Sequence, residues 1–199
     1  VQASGTIQST TSGMVTLSGT GGDGVGNNHG VLITGASSTV QAVLGAISIT
    51  GTTGTVTGTN NSGVTILAGG SVQSTGTGVN AATITLDGTG ASSVTSVSGG
   101  FFEGVRIDNS SVTSVDGAID ITGVATTQNQ GVLLENNALV DSTGTGANAA
   151  TITIDGTGGT NGVNTGGQGV DVKISSIVRA VDGDIQIIGQ GKNIPGIGD

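Results

Sequence analysis

Apolar residues recur at every second position in short runs along the whole chain, and the runs fall into three words repeated in a fixed order. The first word, Gly-Val-x-aliphatic, begins at Gly30, Gly63, Gly104, Gly131 and Gly169. The second, aliphatic-x-small, occurs as Ile7-Gln8-Ser9, Val40-Gln41-Ala42, Val72-Gln73-Ser74, Val112-Thr113-Ser114, Val140-Asp141-Ser142 and Val178-Arg179-Ala180. The third, aliphatic-x-aliphatic-x-Gly, runs from Val15 to Gly19, Ile47 to Gly51, Ile84 to Gly88, Ile119 to Gly123, Ile152 to Gly156 and Ile185 to Gly189. Alternation of Val or Ile with Thr, Ser, Gln or Asp is the period of a strand with one buried face. Glycine at the breaks permits sharp corners, and no segment carries the period of an amphipathic helix.

Three short strands per unit, repeated about six times, predict an all-β chain in which each unit is one coil stacked on the next: a parallel β-solenoid, or β-helix. Residues 1–199 read as a single domain of this kind. A longer word, STGTGVNAATITLDGTG at Ser74, returns as STGTGANAATITIDGTG at Ser142, 142 − 74 = 68 residues on. Successive first words lie 33, 41, 27 and 38 residues apart. The variation falls in stretches after the third strand, such as 88–103 and 156–168, so one corner is expected to take insertions.

Composition agrees with stacking. Of 199 residues 40 are Gly, two are Phe and none is Cys, Trp or Tyr, which excludes an interior built on aromatic rings. Columns of Val and Ile, one residue per coil, fill a narrow interior instead. Thirteen acids against four bases give a net charge of −9, which argues against nucleic acid and anionic membrane, where Lys and Arg must neutralise phosphate. No apolar run approaches the roughly 20 residues that cross a bilayer. The expected partners are cations, neutral polymers such as cell-surface glycans, or protein. The chain starts at Val1 with no secretory signal and reads as a processed chain or a segment. Val1 aligns with Ile66 inside a first strand, and 189–199 aligns with the corner leading into that strand, so the ends match. This block is expected to continue in a longer polypeptide or to stack end to end on copies of itself.

The words GVLI, STVQAV, GAISITG and TGTGANAATITIDGTGG resemble the β-strand repeats of very large bacterial surface and extracellular proteins, similar to filamentous-haemagglutinin-type adhesins. The resemblance implies a right-handed coil, a secreted or surface location, and an adhesive, stalk-like or filament-forming role. It carries no catalytic residues.

Candidate chemistry is sparse. The outward positions of the third strand read Thr16, Ser48, Thr85, Asp120, Thr153, Gln186 and, beside them, Ser18, Thr50, Asp87, Thr122, Asp155, Ile188. This is a solvated hydroxyl ladder; similar ladders occur in ice-binding solenoids, but acids interrupt both columns here. Carboxylates are hard ligands for calcium where two or three converge, and Asp23, Asp87 and Asp155 are the candidates; no other cofactor is expected. Arg179 should lie over Asp141, and Arg106 outward between Thr65 and Leu133. His29 stands in GNNHG with no nucleophile or acid motif beside it, which reads as a corner residue rather than a general base. Four basic residues and no Trp or Tyr leave little from which to build a polysaccharide-cleaving groove, so an enzyme is not expected. Phe101 and Phe102, which close the longest insertion just before Gly104, are expected to cover the flank of the solenoid or, if exposed, to make a lateral contact between fibres; with outward Leu32, Leu133 and Ile188 they are the candidate interaction surface.

Overall fold

The computed structural model describes residues 1–54, 56–91, 101–126, 129–160 and 167–192, side chains of 56–58 excepted. The three words become three sheets. The first contains Val31–Thr34, Val64–Leu67, Val105–Asp108, Val132–Glu135 and Val170–Val172; an isolated bridge from Gln2 to Thr34 extends it by one coil. The second contains Thr6–Ser9, Thr39–Ala42, Ser71–Ser74, Ser111–Ser114, Leu139–Ser142 and Ile177–Ala180. The third contains Val15–Thr20, Ile47–Thr52, Ile84–Thr89, Ile119–Val124, Ile152–Thr157 and Ile185–Gln190. Within each sheet neighbours are parallel and come from successive coils, as in Ile84↔Ile119↔Ile152. The molecule is a parallel β-solenoid of about six coils. Gly24–Gly26 and Val56–Thr59 form a small fourth sheet at one corner, and the helical turn at Gly146–Asn148 is 3₁₀.

In-register stacking puts like on like. Ile33, Ile66, Ile107 and Leu134 make one inward column, Val40, Val72, Val112 and Val140 a second, and Ile49, Leu86, Ile121 and Ile154 a third, all no more than 1% exposed. Burial alternates along the inner strands of the third sheet as the sequence pattern requires, Ile84–Thr89 reading buried, exposed, buried, exposed, buried, half-buried, whereas Val64–Leu67, Val105–Asp108 and Val132–Glu135 of the first sheet are buried at outward positions as well. The two glycine positions have a shared cause. The glycine that ends the third strand faces the glycine that begins the next first strand: a Cβ added at Gly88 would fall on the carbonyl oxygen of Gly104. The same facing pair recurs at Gly123 and Gly131.

Insertions occur at two corners, not one. Besides the stretch after the third strand, the connection between second and third strands is short in the first two coils (10–14, 43–46) and then alternates between long (75–83, 143–151) and short (115–118, 181–184). The reason is visible at the corner. Each long loop turns through a glycine of positive φ, Gly78 or Gly146, whose N–H donates to a carboxylate from the short corner one coil on. The acceptors are Asp116 Oδ2 at 2.7 Å and Asp182 Oδ2 at 2.8 Å. Long and short corners are thus complementary, and the 68-residue repeat is the distance across two coils. Of the other variable stretches, 92–100 and 161–166 lie outside the described residues, as does the terminal stretch 193–199.

Candidate functional site

The outward side of the first sheet carries four of the five side-chain ion pairs among the described residues. Its two outward columns read Leu32, Thr65, Arg106, Leu133, Asp171 and Thr34, Leu67, Asp108, Glu135, with Lys173 following the last strand. A solenoid face is ordinarily solvated, yet Thr65 is 0%, Leu133 1%, Glu135 6% and Arg106 9% exposed. Phe101, Phe102 and Glu103, just before Gly104, belong to this cover: the Arg106 guanidinium lies 3.8 Å from the centroid of the Phe101 ring, a cation–π contact, and Phe102 packs with Ala91.

Beneath that ring the charges are paired. Arg106 donates through Nε to Glu135 Oε1 at 3.0 Å and through Nη2 to Asp108 Oδ2 at 2.7 Å. Asn136 Nδ2 donates to the other Asp108 oxygen at 2.9 Å. Lys173 Nζ lies 3.3 Å from Asp171 Oδ2 and 3.9 Å from Glu135 Oε2. On the other side Glu103 is wholly buried; Ser62 Oγ donates to its Oε2 at 2.7 Å, whereas its Oε1 has no partner. His29 Nδ1 shares a 2.9 Å hydrogen bond with Thr65 Oγ1. Burial pushes the Glu103 carboxyl above its ordinary range, only partly opposed by the Ser62 hydrogen bond and by Arg106. Burial also lowers His29, Arg106 adds to that, and a hydrogen bond with the Ser62 backbone opposes it. The arrangement sets an acid and an imidazole, each shifted by burial toward its uncharged form, beside a guanidinium paired with two carboxylates. A buried pair of this kind adds little net stability over an apolar replacement, but losing one partner costs about 3–5 kcal/mol. Its chemistry is therefore that of a clamp between neighbouring coils, and Glu103 does not reach solvent where an outside substrate would sit.

The remaining candidates are dispersed. Asp87 and Asp155 occupy one outward column of the third sheet with Thr122 between them. Asp23 lies on the corner before Gly24–Gly26. Among the described residues no three His, Asp or Glu side chains gather as a metal site. Arg179 does lie over Asp141, in a two-pronged pair: Nε to Oδ1 at 2.9 Å and Nη2 to Oδ2 at 2.7 Å. Those hydrogen bonds raise the Arg179 pKa further above its ordinary value.

Of the residues offered as an interaction surface, Leu133 at 1% exposed is corrected, because the outward side of the first sheet is covered, and Phe102 at 3% exposed packs with Ala91, which fits its reading as local cover and not as a lateral contact. Phe101 and Leu32 are half-buried, and Ile188 is 44% exposed on the last coil. Sequence reasoning placed Arg106 in its column but missed its link to Glu103, Ser62 and His29. The available signal was FFEG directly before GVRI, two rings and an acid in a chain almost devoid of rings.

Fold and site together define a parallel β-solenoid repeat module with a covered cluster of paired charges on its first sheet. No protein-family model matches the sequence, and no match was found among curated proteins or solved structures.

Proposed function

We propose that this chain is a stiff structural segment of a bacterial extracellular or surface protein, in the manner of filamentous-haemagglutinin-like stalks and adhesins, and that it is not an enzyme. One observation carries the reading: the three parallel sheets run from coil to coil over a core of aliphatic columns. In such a stack each coil contacts only its neighbours, and hydrogen bonds between strands lie along the long axis. Stretching the rod therefore loads many backbone hydrogen bonds at once. The covered cluster around Arg106 fits the same role, since Arg106 and Glu135 meet only when adjacent coils are in register. A surface dominated by Thr, Ser, Gly and Asn suits an extracellular rod that stays hydrated at low charge density.

The test is to raise antibodies against the chain and apply them to intact and permeabilised cells of the bacterium that makes it, under the electron microscope. The reading expects label on intact cells, on material projecting from the surface. Label confined to permeabilised cells would overturn it.

A further inference from the structure

The corner between second and third strands holds a cavity of about 500 Å³, lined by Ser12, Leu44, Ala46, Asn80, Ala81 and Thr83. Its walls come from three successive coils, and their register shows what the cavity replaces. The Leu44 N–H donates to the carbonyl oxygen of Thr11, and the Asp116 N–H to that of Gly76. A Cβ on Gly45 would fall on the carbonyl oxygen of Gly13, and one on Gly117 on that of Ala82. Thr11 and Gly13 therefore stand where Gly76 and Ala82 stand two coils on, and Ser12 alone fills the place of a bulge, 77–81. The same bulge recurs at 145–149. Each of these bulges is answered by a carboxylate on the following coil: Asp116 accepts from the Gly78 N–H at 2.7 Å and Asp182 from the Gly146 N–H at 2.8 Å. The equivalent position after the missing bulge is Leu44, 43% exposed on the cavity.

We propose that this cavity receives the 77–81 bulge of a second copy of the chain, the two copies exchanging bulges about a two-fold axis. Bulge against corner is a contact the molecule already makes twice within itself. Apolar Leu44, in place of Asp116 and Asp182, calls for an apolar tip. The 77–81 bulge supplies it: its Gly78 N–H is already taken by Asp116, and what its tip presents outward is Val79, 85% exposed, where the other bulge has Ala147. Val79 and Leu44 stand on adjacent coils at one corner, so a single patch carries both the knob and the hole, as a self-complementary two-fold contact requires. Charge favours this patch over the rest of the surface. Stretches 10–14, 43–46 and 75–83 contain no ionisable side chain in a chain of net charge −9, whereas the later corners carry Asp116, Asp182 and Asp184. The inference stands on this corner and does not depend on where the rod sits relative to a cell.

The experiment is sedimentation equilibrium of the 199-residue chain at rising concentration, and the expected result is a monomer–dimer equilibrium. Leu44→Asp installs the residue that two later corners hold at this position, and Val79→Ala the residue of the other bulge, so the fold already accommodates both. Leu44→Asp should weaken dimerisation by about a hundredfold, roughly tenfold for each of the two carboxylates it would bury. Val79→Ala should weaken it by about tenfold. Both should keep the β-type circular dichroism of the wild type. Leu44→Cys mixed with Val79→Cys, in a chain with no native cysteine, should on mild oxidation give a disulfide joining one of each. A folded wild-type chain that is monomeric at every concentration would overturn the proposal and leave the cavity to an occupant of another kind. A dimer that Leu44→Asp leaves intact, or cross-linking confined to like variants, would overturn it as well.

Discussion

Replacing Glu103 by Gln isolates the most unusual group in the molecule. The carboxyl is wholly buried, with one oxygen held by Ser62 and the other unpartnered, and burial raises its pKa above the ordinary 4.5. The sign follows from proton counting. Above pH 4.5 the unfolded chain releases this proton while the folded chain keeps it, so folding binds a proton and stability falls as pH rises, until the folded pKa is reached. The slope over that window is at most about 1.36 kcal/mol per pH unit, the value for one whole proton. For a chain of this size that corresponds to about 3–5 °C of Tm per pH unit. Gln has nearly the same shape, accepts the Ser62 hydrogen bond, and does not titrate. The Tm difference, Glu103→Gln minus wild type, should therefore be flat well below pH 4.5, climb above it by no more than that slope, and level off once the folded pKa is passed. His29 acts oppositely: its lowered pKa makes the folded state lose stability as pH falls below 6.5 toward the folded value. The subtraction removes that contribution along with every other group common to both proteins. The assay is a series of thermal melts by circular dichroism between pH 3.5 and 9. A difference that stays flat throughout, or that falls with pH, would show that Glu103 is ionised in the fold and paired with Arg106, and the account of the covered cluster would be wrong.

Three further outcomes are expected. Arg106→Leu strips a partner from buried Glu135 and from half-buried Asp108 and should cost about 3–5 kcal/mol in denaturant unfolding; a cost below about 1 kcal/mol would mean that the cluster is solvated. Ile121→Ala, in a mid-rod column that is 1% exposed, should cost about 2–5 kcal/mol, whereas Ile187→Ala, 48% exposed on the last coil, should cost roughly half as much in the monomer. Equal losses would contradict the stacked-column core. Melts with millimolar calcium should match those with chelator, because Asp87 and Asp155 are separated by Thr122 and Asp23 lies at another corner; a Tm rising with calcium would revive the metal site.

The strands and their register were legible because period-2 alternation and in-register stacking are both local statements about residue type. Val40, Val72, Val112 and Val140 announce one column before any coordinate is known, and Arg179 over Asp141 follows from Val178 over Val140. The facing glycines were legible as words, though not as a mutual close approach between Gly88 and Gly104. The second variable corner was hidden in plain view: the 68-residue word marks it, but only the fold shows Asp116 reaching Gly78. Burial of the first sheet's outward side was legible only in part. Phe101 and Phe102 read as local cover of a flank, but alternation assigns Thr65, Arg106 and Leu133 to the outside, and which outside positions are shielded depends on where the two rings settle. That is a tertiary event with no periodic signature. Glu103 belongs to the same gap, since nothing in FFEG says that the acid is the buried member and Phe101 the half-exposed one.

The central claim is that successive coils stack in register along one axis, and it can be measured as a length. Spin labels on cysteines at Thr16 and Gln186, in a chain with no native cysteine, sit in one outward column of the third sheet, five coil steps apart. Electron–electron resonance should return a single narrow distribution centred near about 24 Å, five steps of about 4.8 Å. A broad distribution, or one centred beyond the reach of the label linkers from that value, would contradict the solenoid.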